Sequence, residues 1–209
     1  RVGKIYEEQL NLPKKALAVL EPFAPHHASL GKAFYPSGVR FATLMARAHA
    51  MLGDERATEA ALKRVADLPQ LYSTPAARLV DYKADVSWIR LAGGRTTDAL
   101  AVLKEGEDTI NTTLAGYNFG YVQLNIRAAE AAVQAGDFAT ALDRANRARQ
   151  HLSERTNAAL LPHLAAAADK VRGDALLGTG DAAGAAAALD AAIALMRRLQ
   201  DPASPWLAD

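Results

Sequence analysis

Histidine is the side chain in this sequence with the widest chemistry, because it titrates near neutral pH and its ring nitrogens bind metals. The chain has five histidines, which are His26, His27, His49, His151 and His163. Two adjacent ligands, as in His26-His27, cannot both face one ion from a regular element. His49 lies four residues before Gly53, where the pattern described below expects a packed side chain. We therefore predict no metal site and no catalytic histidine.

A glycine-rich stretch, Gly178-Thr179-Gly180 followed by Gly184, is superficially similar to a dinucleotide-binding loop. That loop needs a preceding strand, so that the turn presents its amide groups to a pyrophosphate. Here a helical pattern precedes the glycines, and Gly180 has the turn role described below. The sequence contains no Walker motif, nucleophile elbow, HExxH motif or cysteine. We therefore predict that the chain is not an enzyme and uses no cofactor.

A short run of basic residues consists of Arg144, Arg147 and Arg149. The chain has 24 Lys and Arg against 23 Asp and Glu, a net charge of +1. Domains that bind duplexes have a clustered basic face and a high pI, so we expect no direct contact with nucleic acid. At the arginine run we expect a solvated helix face, with a phosphate-binding patch as the alternative. No stretch approaches the roughly eighteen apolar residues of a membrane span, so we expect no membrane contact.

The strongest pattern is a repeat of predicted turns. These turns, separated by 42, 41, 42 and 44 residues, are Asn11, Gly53-Asp54, Gly94, Gly136-Asp137 and Gly180-Asp181. Seven residues before each glycine lies a small side chain: Ala46, Ser87, Ala129 or Gly173. Five residues after each turn lies Ala16, Thr58, Ala99, Ala141 or Ala185. Larger residues such as Phe23 follow, and we expect them to fill the contact between hairpins. Small residues at fixed places let two helices approach closely, so the repeat predicts helical hairpins.

No sustained alternation of apolar and polar residues indicates a strand, so the predicted fold is all-α. We interpret residues 1–209 as a single repeat array and as a piece of a longer protein. The predicted units are 1–24, 37–69, 75–111, 114–153 and 157–200, followed by the start of a further helix at 203–209. We also predict a turn at Tyr35-Pro36-Ser37-Gly38 and a helix start near Thr113.

This pattern resembles the tetratricopeptide repeat, a helix-turn-helix unit that stacks on its neighbours. The residues that carry the resemblance are Ala129, Gly136-Asp137-Phe138, Ala141 and Ala148, then Gly173, Gly180-Asp181, Ala185 and Ala192. The resemblance covers nearly the whole chain. The period is about eight residues longer than the usual 34, and the aromatic residues near the start of the first helix are mostly absent. The resemblance implies a right-handed superhelical solenoid of about five stacked helical hairpins.

In arrays of this family the first helix of each hairpin lines a concave surface where ligands lie, so the resemblance implies a groove there. Residues at 13, 10, 6 and 3 positions before each turn glycine share one helical face. The groove residues predicted in this way are Arg40, Thr43, Arg47, Asp81, Trp88, Gln123, Glu130, Lys170 and Asp174. A shift of one residue in the third hairpin would move Trp88 into the core, so both placements stay open.

We expect such a groove to bind a protein or peptide, since Arg and Trp often anchor interfaces. The predicted function is therefore a scaffold or adaptor module. The long repeat is also similar to the effector-sensing arrays of some bacterial transcription regulators and signalling ATPases, which stays open as the alternative. Self-association through the end repeats, a structural role, stays open too. The absence of cysteine removes any need for an oxidising compartment, and the expected location is cytoplasmic.

Overall fold

The computed structural model describes residues 12–25, 35–66, 76–113, 118–154 and 161–200. These residues are almost entirely helical and include no strand, which confirms the predicted all-α class. The chain divides into two compact units, residues 1–99 and 100–209. Whether both units belong to the single array predicted for residues 1–209 stays a prediction. The predicted turn at Asn11, the pair His26-His27 and the predicted helix at 203–209 lie outside the described residues.

The first unit contains four α-helices and one 3-10 helix among its described residues. They are α1 (Pro13–Leu20), the 3-10 helix (Glu21–Phe23), α2 (Tyr35–Met51), α3 (Glu55–Ala66) and α4 (Ala76–Ala92). Helix α2 packs against α1, α3 and α4. Small side chains make the contact with α1, where Ala16 and Ala48 are fully buried beside Leu17. Helix α2 therefore organises this unit.

The second unit contains the last four helices and most of α5 (Thr96–Thr113). The four helices are α6 (Asn118–Ala135), α7 (Phe138–Glu154), α8 (Pro162–Thr179) and α9 (Ala182–Gln200). Helix α6 packs against α7 and α8, α7 also packs against α8, and α8 packs against α9. The last four helices thus form two successive hairpins in contact.

A glycine with a left-handed backbone ends each of α2, α4, α6 and α8. The φ angles are 75° at Gly53, 73° at Gly94, 77° at Gly136 and 87° at Gly180. At each turn the glycine N–H donates to the carbonyl three residues back, and the next N–H donates to the carbonyl five residues back. These are the two hydrogen bonds of a Schellman ending, which satisfy carbonyls that the helix leaves without a partner. The turns predicted at these four glycines are therefore confirmed.

The aspartate after three of these glycines starts the following helix. The carboxylate of Asp54 accepts a hydrogen bond from the Ala57 N–H at 2.9 Å, and that of Asp181 accepts one from the Gly184 N–H at 2.9 Å. Hydrogen bonds from Thr140 hold the pKa of Asp137 below its usual value. A carboxylate in this place satisfies amide groups of the first turn and opposes the positive end of the helix dipole. One Gly-Asp pair thus ends one helix and begins the next.

The small residues of the repeat lie in the most buried places of the structure. Ala46, Ser87, Ala129, Ala16, Ala99, Ala141 and Ala185 are fully buried, and Gly173 and Thr58 are buried. The Ser87 hydroxyl donates to the Ala84 carbonyl at 2.8 Å, so its burial leaves no unpaired donor. A Cβ at Gly173 would overlap the side chain of Leu189 in α9. These positions are where the two helices of a hairpin come close.

Three local predictions are wrong, each for a physical reason. Residues Tyr35–Gly38 belong to α2 rather than to a turn, because proline is accepted in the first turn of a helix. Thr113 ends α5 instead of starting a helix; the Thr112 hydroxyl bonds back to the Asp108 carbonyl at 2.7 Å, which satisfies it within a helix. Phe23 is 55% exposed, because the chain tightens into a 3-10 helix at Glu21 and leaves the phase of α1.

Gly53→Ala and Gly38→Ala form a matched pair of substitutions in the first unit. A Cβ at either position meets no atom within 4 Å, so only the backbone conformation differs. At Gly53, with its φ of 75°, an L side chain costs about 1 kcal/mol. At Gly38, inside α2, alanine is favoured by about 0.5–1 kcal/mol. We expect Gly53→Ala to lower the free energy of unfolding in urea and Gly38→Ala to raise it; effects of the same sign would contradict this account.

Candidate functional site

The predicted groove residues lie on the first helices of the hairpins, and their exposure depends on their place in the repeat. Ten residues before the turn glycine, the side chains of Thr43, Ala84 and Ile126 are buried. In the last hairpin the same position carries Lys170, which is exposed. Thirteen residues before the glycine, all four helices carry a side chain that is exposed or partly exposed: Arg40, Asp81, Gln123 and Ala167. The predicted groove therefore divides into an accessible part and a buried part.

In the first unit, two predicted groove residues contact each other across α2 and α4. The guanidinium of Arg47 lies over the ring of Trp88, a cation–π arrangement. Arg47 is only 9% exposed, whereas Trp88 is partly exposed. The Thr43 hydroxyl donates to the Arg40 carbonyl at 3.0 Å, so it is satisfied within its own helix. Trp88 thus lies at the border between surface and core, and Arg47 covers one face of its ring.

In the second unit, charged groove residues form ion pairs with residues three or four positions away on the same helix. The Glu130 carboxylate accepts hydrogen bonds from Arg127 at 2.8 and 2.9 Å on α6. The Lys170 ammonium donates to the Asp174 carboxylate at 2.7 Å on α8. Partly exposed pairs of this kind contribute only about 0–1 kcal/mol, so each member can exchange its partner for a charged group of a ligand at little cost.

An accessible position lies outside the predicted groove. Nine residues before the glycine, Leu44, Asp85 and Arg127 are partly exposed. Positions 13, 9 and 6 before the glycine also follow helical spacing, so periodicity alone does not distinguish this face from the predicted one. The uncharged side chains ten residues before the glycine were the available signal, since Thr43, Ala84 and Ile126 suit a packed position better than a solvated one.

We call the accessible residues at positions 13, 9 and 6 of a unit its first-helix stripe. In the first unit the stripe consists of Arg40, Leu44, Asp81, Asp85 and Trp88. In the second unit it consists of Gln123, Arg127, Glu130, Ala167 and Asp174. Each stripe carries both acidic and basic side chains, and the first also carries Leu44 and Trp88.

A second charged cluster surrounds a cavity of about 170 Å³ near the Gly53 turn. The Glu59 carboxylate on α3 pairs with Arg90 on α4 and accepts a hydrogen bond from Arg95 at 2.8 Å. Arg95 also donates to Asp98 at 2.6 Å. The hydrogen bond from Arg90 holds the pKa of Glu59 below its usual value, although burial opposes that shift. Opposite charges in this cluster satisfy each other, and the cluster ties α3 to α4.

The arginine run on α7 makes contacts between helices rather than only a solvated face. Arg144 pairs with Glu107 on α5 and donates to the Asn125 side chain on α6 at 3.3 Å. Arg149 forms an ion pair with Asp169 on α8, in which Nε lies 2.9 Å from a carboxylate oxygen. These two arginines therefore join α7 to three other helices of the second unit.

Asp169 is a buried carboxylate at the contact between α7 and α8. Its residue is 2% exposed, one carboxylate oxygen faces Arg149, and the other has no hydrogen-bond partner among the described residues. Burial raises the pKa of Asp169 above its usual value, while Arg149 and Arg172 oppose the shift. A buried charge of this kind depends on its one strong partner.

The described ranges contain no group of three or more His, Asp or Glu side chains that could hold a metal ion. His151 stacks on Tyr121, with ring centroids 4.7 Å apart. None of the described helices is both long and apolar enough to cross a membrane. Comparisons with protein-family models, curated proteins and solved structures give no match to this chain.

Arg149→Met removes the positive charge beside Asp169 and keeps most of the aliphatic stem. We expect it to lower the free energy of unfolding by about 2 kcal/mol at pH 8, because it leaves a buried carboxylate uncompensated. Without Arg149 the pKa of Asp169 rises further, so the folded state holds the proton more tightly than the unfolded state. The loss should therefore grow as pH rises through that pKa and be smallest near pH 4, as measured by urea denaturation at both pH values.

The double variant Arg149→Met/Asp169→Leu is the control for this prediction. It removes both charges, and we expect it to recover most of the lost stability at pH 8. A loss in Arg149→Met that is independent of pH, or that Asp169→Leu does not recover, would show that the arginine stabilises only through its packing.

Proposed function

We propose that this chain is a tetratricopeptide-like repeat array that binds a protein or peptide along the first-helix stripe. The stripes carry the proposal, because in each unit accessible side chains of both charges lie among positions 13, 9 and 6 before the turn glycines. A surface repeated in this way presents its groups at regular intervals. A regular spacing of side chains suits an extended or helical polypeptide better than a compact small molecule.

The packing of the helices supports the proposed array. In the first unit α2 packs against α4, and in the second unit α6 packs against α8, so the first helices of successive hairpins are neighbours. Helix α7 also packs against α8, which is the contact of a second helix with the next first helix. Stacked hairpins of a solenoid are in contact in this manner, each with its nearest neighbours. The superhelical arrangement and its right-handed sense are part of this proposal.

The chemistry of the stripe indicates which polypeptides suit it. The pairs Arg127–Glu130 and Lys170–Asp174 place both signs of charge on adjacent helices. A ligand with alternating acidic and basic side chains can therefore find complementary groups along α6 and α8. The stripe of the first unit, taken by itself, offers the partly exposed Trp88, an apolar side chain of the type that often anchors a peptide.

The effector-sensing alternative gains less support from the described residues. The cavity near Gly53 has a volume of about 170 Å³, whereas small-molecule sites usually measure about 300–1,000 Å³. Its charged groups already pair with each other through Glu59, Arg90 and Arg95. A small effector at this place would have to break those ion pairs, so we favour the polypeptide ligand.

Asp174→Lys and Asp143→Lys test the proposed surface as a matched pair. Each aspartate pairs with a basic residue four positions away, Lys170 for Asp174 and Arg147 for Asp143, but only Asp174 lies in the stripe. A peptide-array screen first identifies a ligand, and a titration of that ligand then compares the variants. We expect Asp174→Lys to weaken binding at least about tenfold and Asp143→Lys to leave it within about twofold.

Two further results bear on this proposal. A combined variant with Glu130→Ala should weaken binding more than Asp174→Lys alone, because both residues lie along the path of the ligand. If a ligand is found whose affinity none of these substitutions changes, the stripe is not the binding surface. Circular dichroism of each variant checks that its helices are intact.

A further inference from the structure

Two contacts recur between successive hairpins at equivalent positions of the repeat. Leu142, six residues after Gly136, packs against the cluster of Leu176, Ala185 and Ala188, in which Leu176 lies four residues before the next turn glycine. In the first unit the same two positions carry Glu59 and Arg90, which form an ion pair. This position pair thus joins the second helix of one hairpin to the first helix of the next, with either apolar or charged residues.

The second recurring contact lies about two helical turns away. Arg149, thirteen residues after Gly136, pairs with Asp169, eleven residues before Gly180. Glu107 and Asn125 occupy the same two positions of the preceding repeat, and Arg144 bridges them. Among the described residues, only the contact of α6–α7 with α8 shows both contacts; in the hairpin α4–α5 the first place carries Leu100, which is 44% exposed.

In the preceding repeat, the next hairpin covers one face of α6–α7. The equivalent face of the last hairpin, α8–α9, is exposed. Ile126 and Leu152 on that face of α6–α7 are buried under α8. Their equivalents in the last hairpin are Lys170, which is exposed, and Met196, which is partly exposed. Leu177 and Ile193, at the equivalents of Val133 and Arg149, are 55% and 47% exposed. We call Lys170, Leu177, Ala186, Ile193 and Met196 the terminal face.

We propose that the terminal face binds a further helical hairpin of the same repeat kind, whose first helix is apolar at two positions seven residues apart. The face continues the established contact of α6–α7 with α8, so a hairpin in the same orientation fits it. Its two matching positions are Ala186 and Ile193, where the preceding repeat has Leu142 and Arg149. A partner with a charge at either matching position would bury that charge without a counter-charge. This inference does not depend on the ligand of the first-helix stripe.

An extended chain tests the proposal. The full chain is followed by a second copy of residues 155–200, in which the copy of Asp169 is replaced by leucine to match Ile193. The copy already has a leucine, that of Leu176, at the other matching position. We expect a higher urea midpoint and a steeper dependence on urea, because more surface is buried. We also expect amide hydrogen exchange in α9 to slow at least about tenfold.

The same extension with the aspartate of the copy retained is the matched control. It adds the same number of residues, but it places a carboxylate against Ile193. We expect this control to lose most of the gain in midpoint and most of the slowing of exchange. Equal gains with leucine and with aspartate would overturn the proposed matching of positions, because an added segment would then stabilise α9 without regard to its side chains.

Substitutions on the receiving side complete the test. Leu177→Lys with Ile193→Lys should abolish the gain of the extended chain, and should barely change the chain without the extension, because both residues are largely exposed there. Leu100→Lys, at a leucine that is 44% exposed on α5, should leave the gain intact. A gain that survives the double substitution would overturn the proposal.

Two other occupants of the terminal face would be recognised by different results. If the chain without the extension forms a dimer in sedimentation, and Ile193→Lys abolishes that dimer, a second copy occupies the face and the proposal is wrong. If removal of residues 201–209 from the chain without the extension speeds hydrogen exchange in α9 at least about tenfold, and the extension adds no protection, that segment occupies the face and the proposal is wrong.

Discussion

The close approach of two helices at a small residue is the constraint on which the rest of this structure depends. In the last hairpin Gly173 lies so near Leu189 that a Cβ would overlap it, and Ala185 is fully buried on the opposite helix. The left-handed glycine at Gly180 reverses the chain, so that the second helix returns along the first. A larger side chain at Gly173 would separate the helices and displace the residues that contact the neighbouring hairpin.

The contacts between hairpins distinguish one arrangement of the helices from others, which the small residues alone do not do. Alanine packs against alanine almost anywhere, so the buried alanines alone would allow several arrangements of the helices. The pairs Glu59–Arg90 and Arg149–Asp169 are less tolerant, since a mismatch leaves a charge without its partner. Charged pairs at these places therefore favour one register between neighbouring hairpins over others.

Helices and turns could be predicted from the sequence because their causes are local. A glycine at a left-handed turn and an aspartate that caps the next helix act within a few residues, and their spacing repeats. Local causes also explain why the turn predicted at Tyr35–Gly38 was wrong, since the sequence there suits both a turn and the first turn of a helix. The accessible face of the first helices was only partly predictable, because two overlapping faces share residues such as Arg40 and Arg47.

The sequence by itself determined the all-α class, the four glycine turns and the small residues of the hairpins, because each follows from backbone conformation or helical spacing. Tertiary structure decided the pairing of Arg149 with Asp169 and the stacking of Arg47 on Trp88. These features join residues from different helices or depend on what covers them. No local pattern can specify them, since they depend on how one hairpin packs against the next.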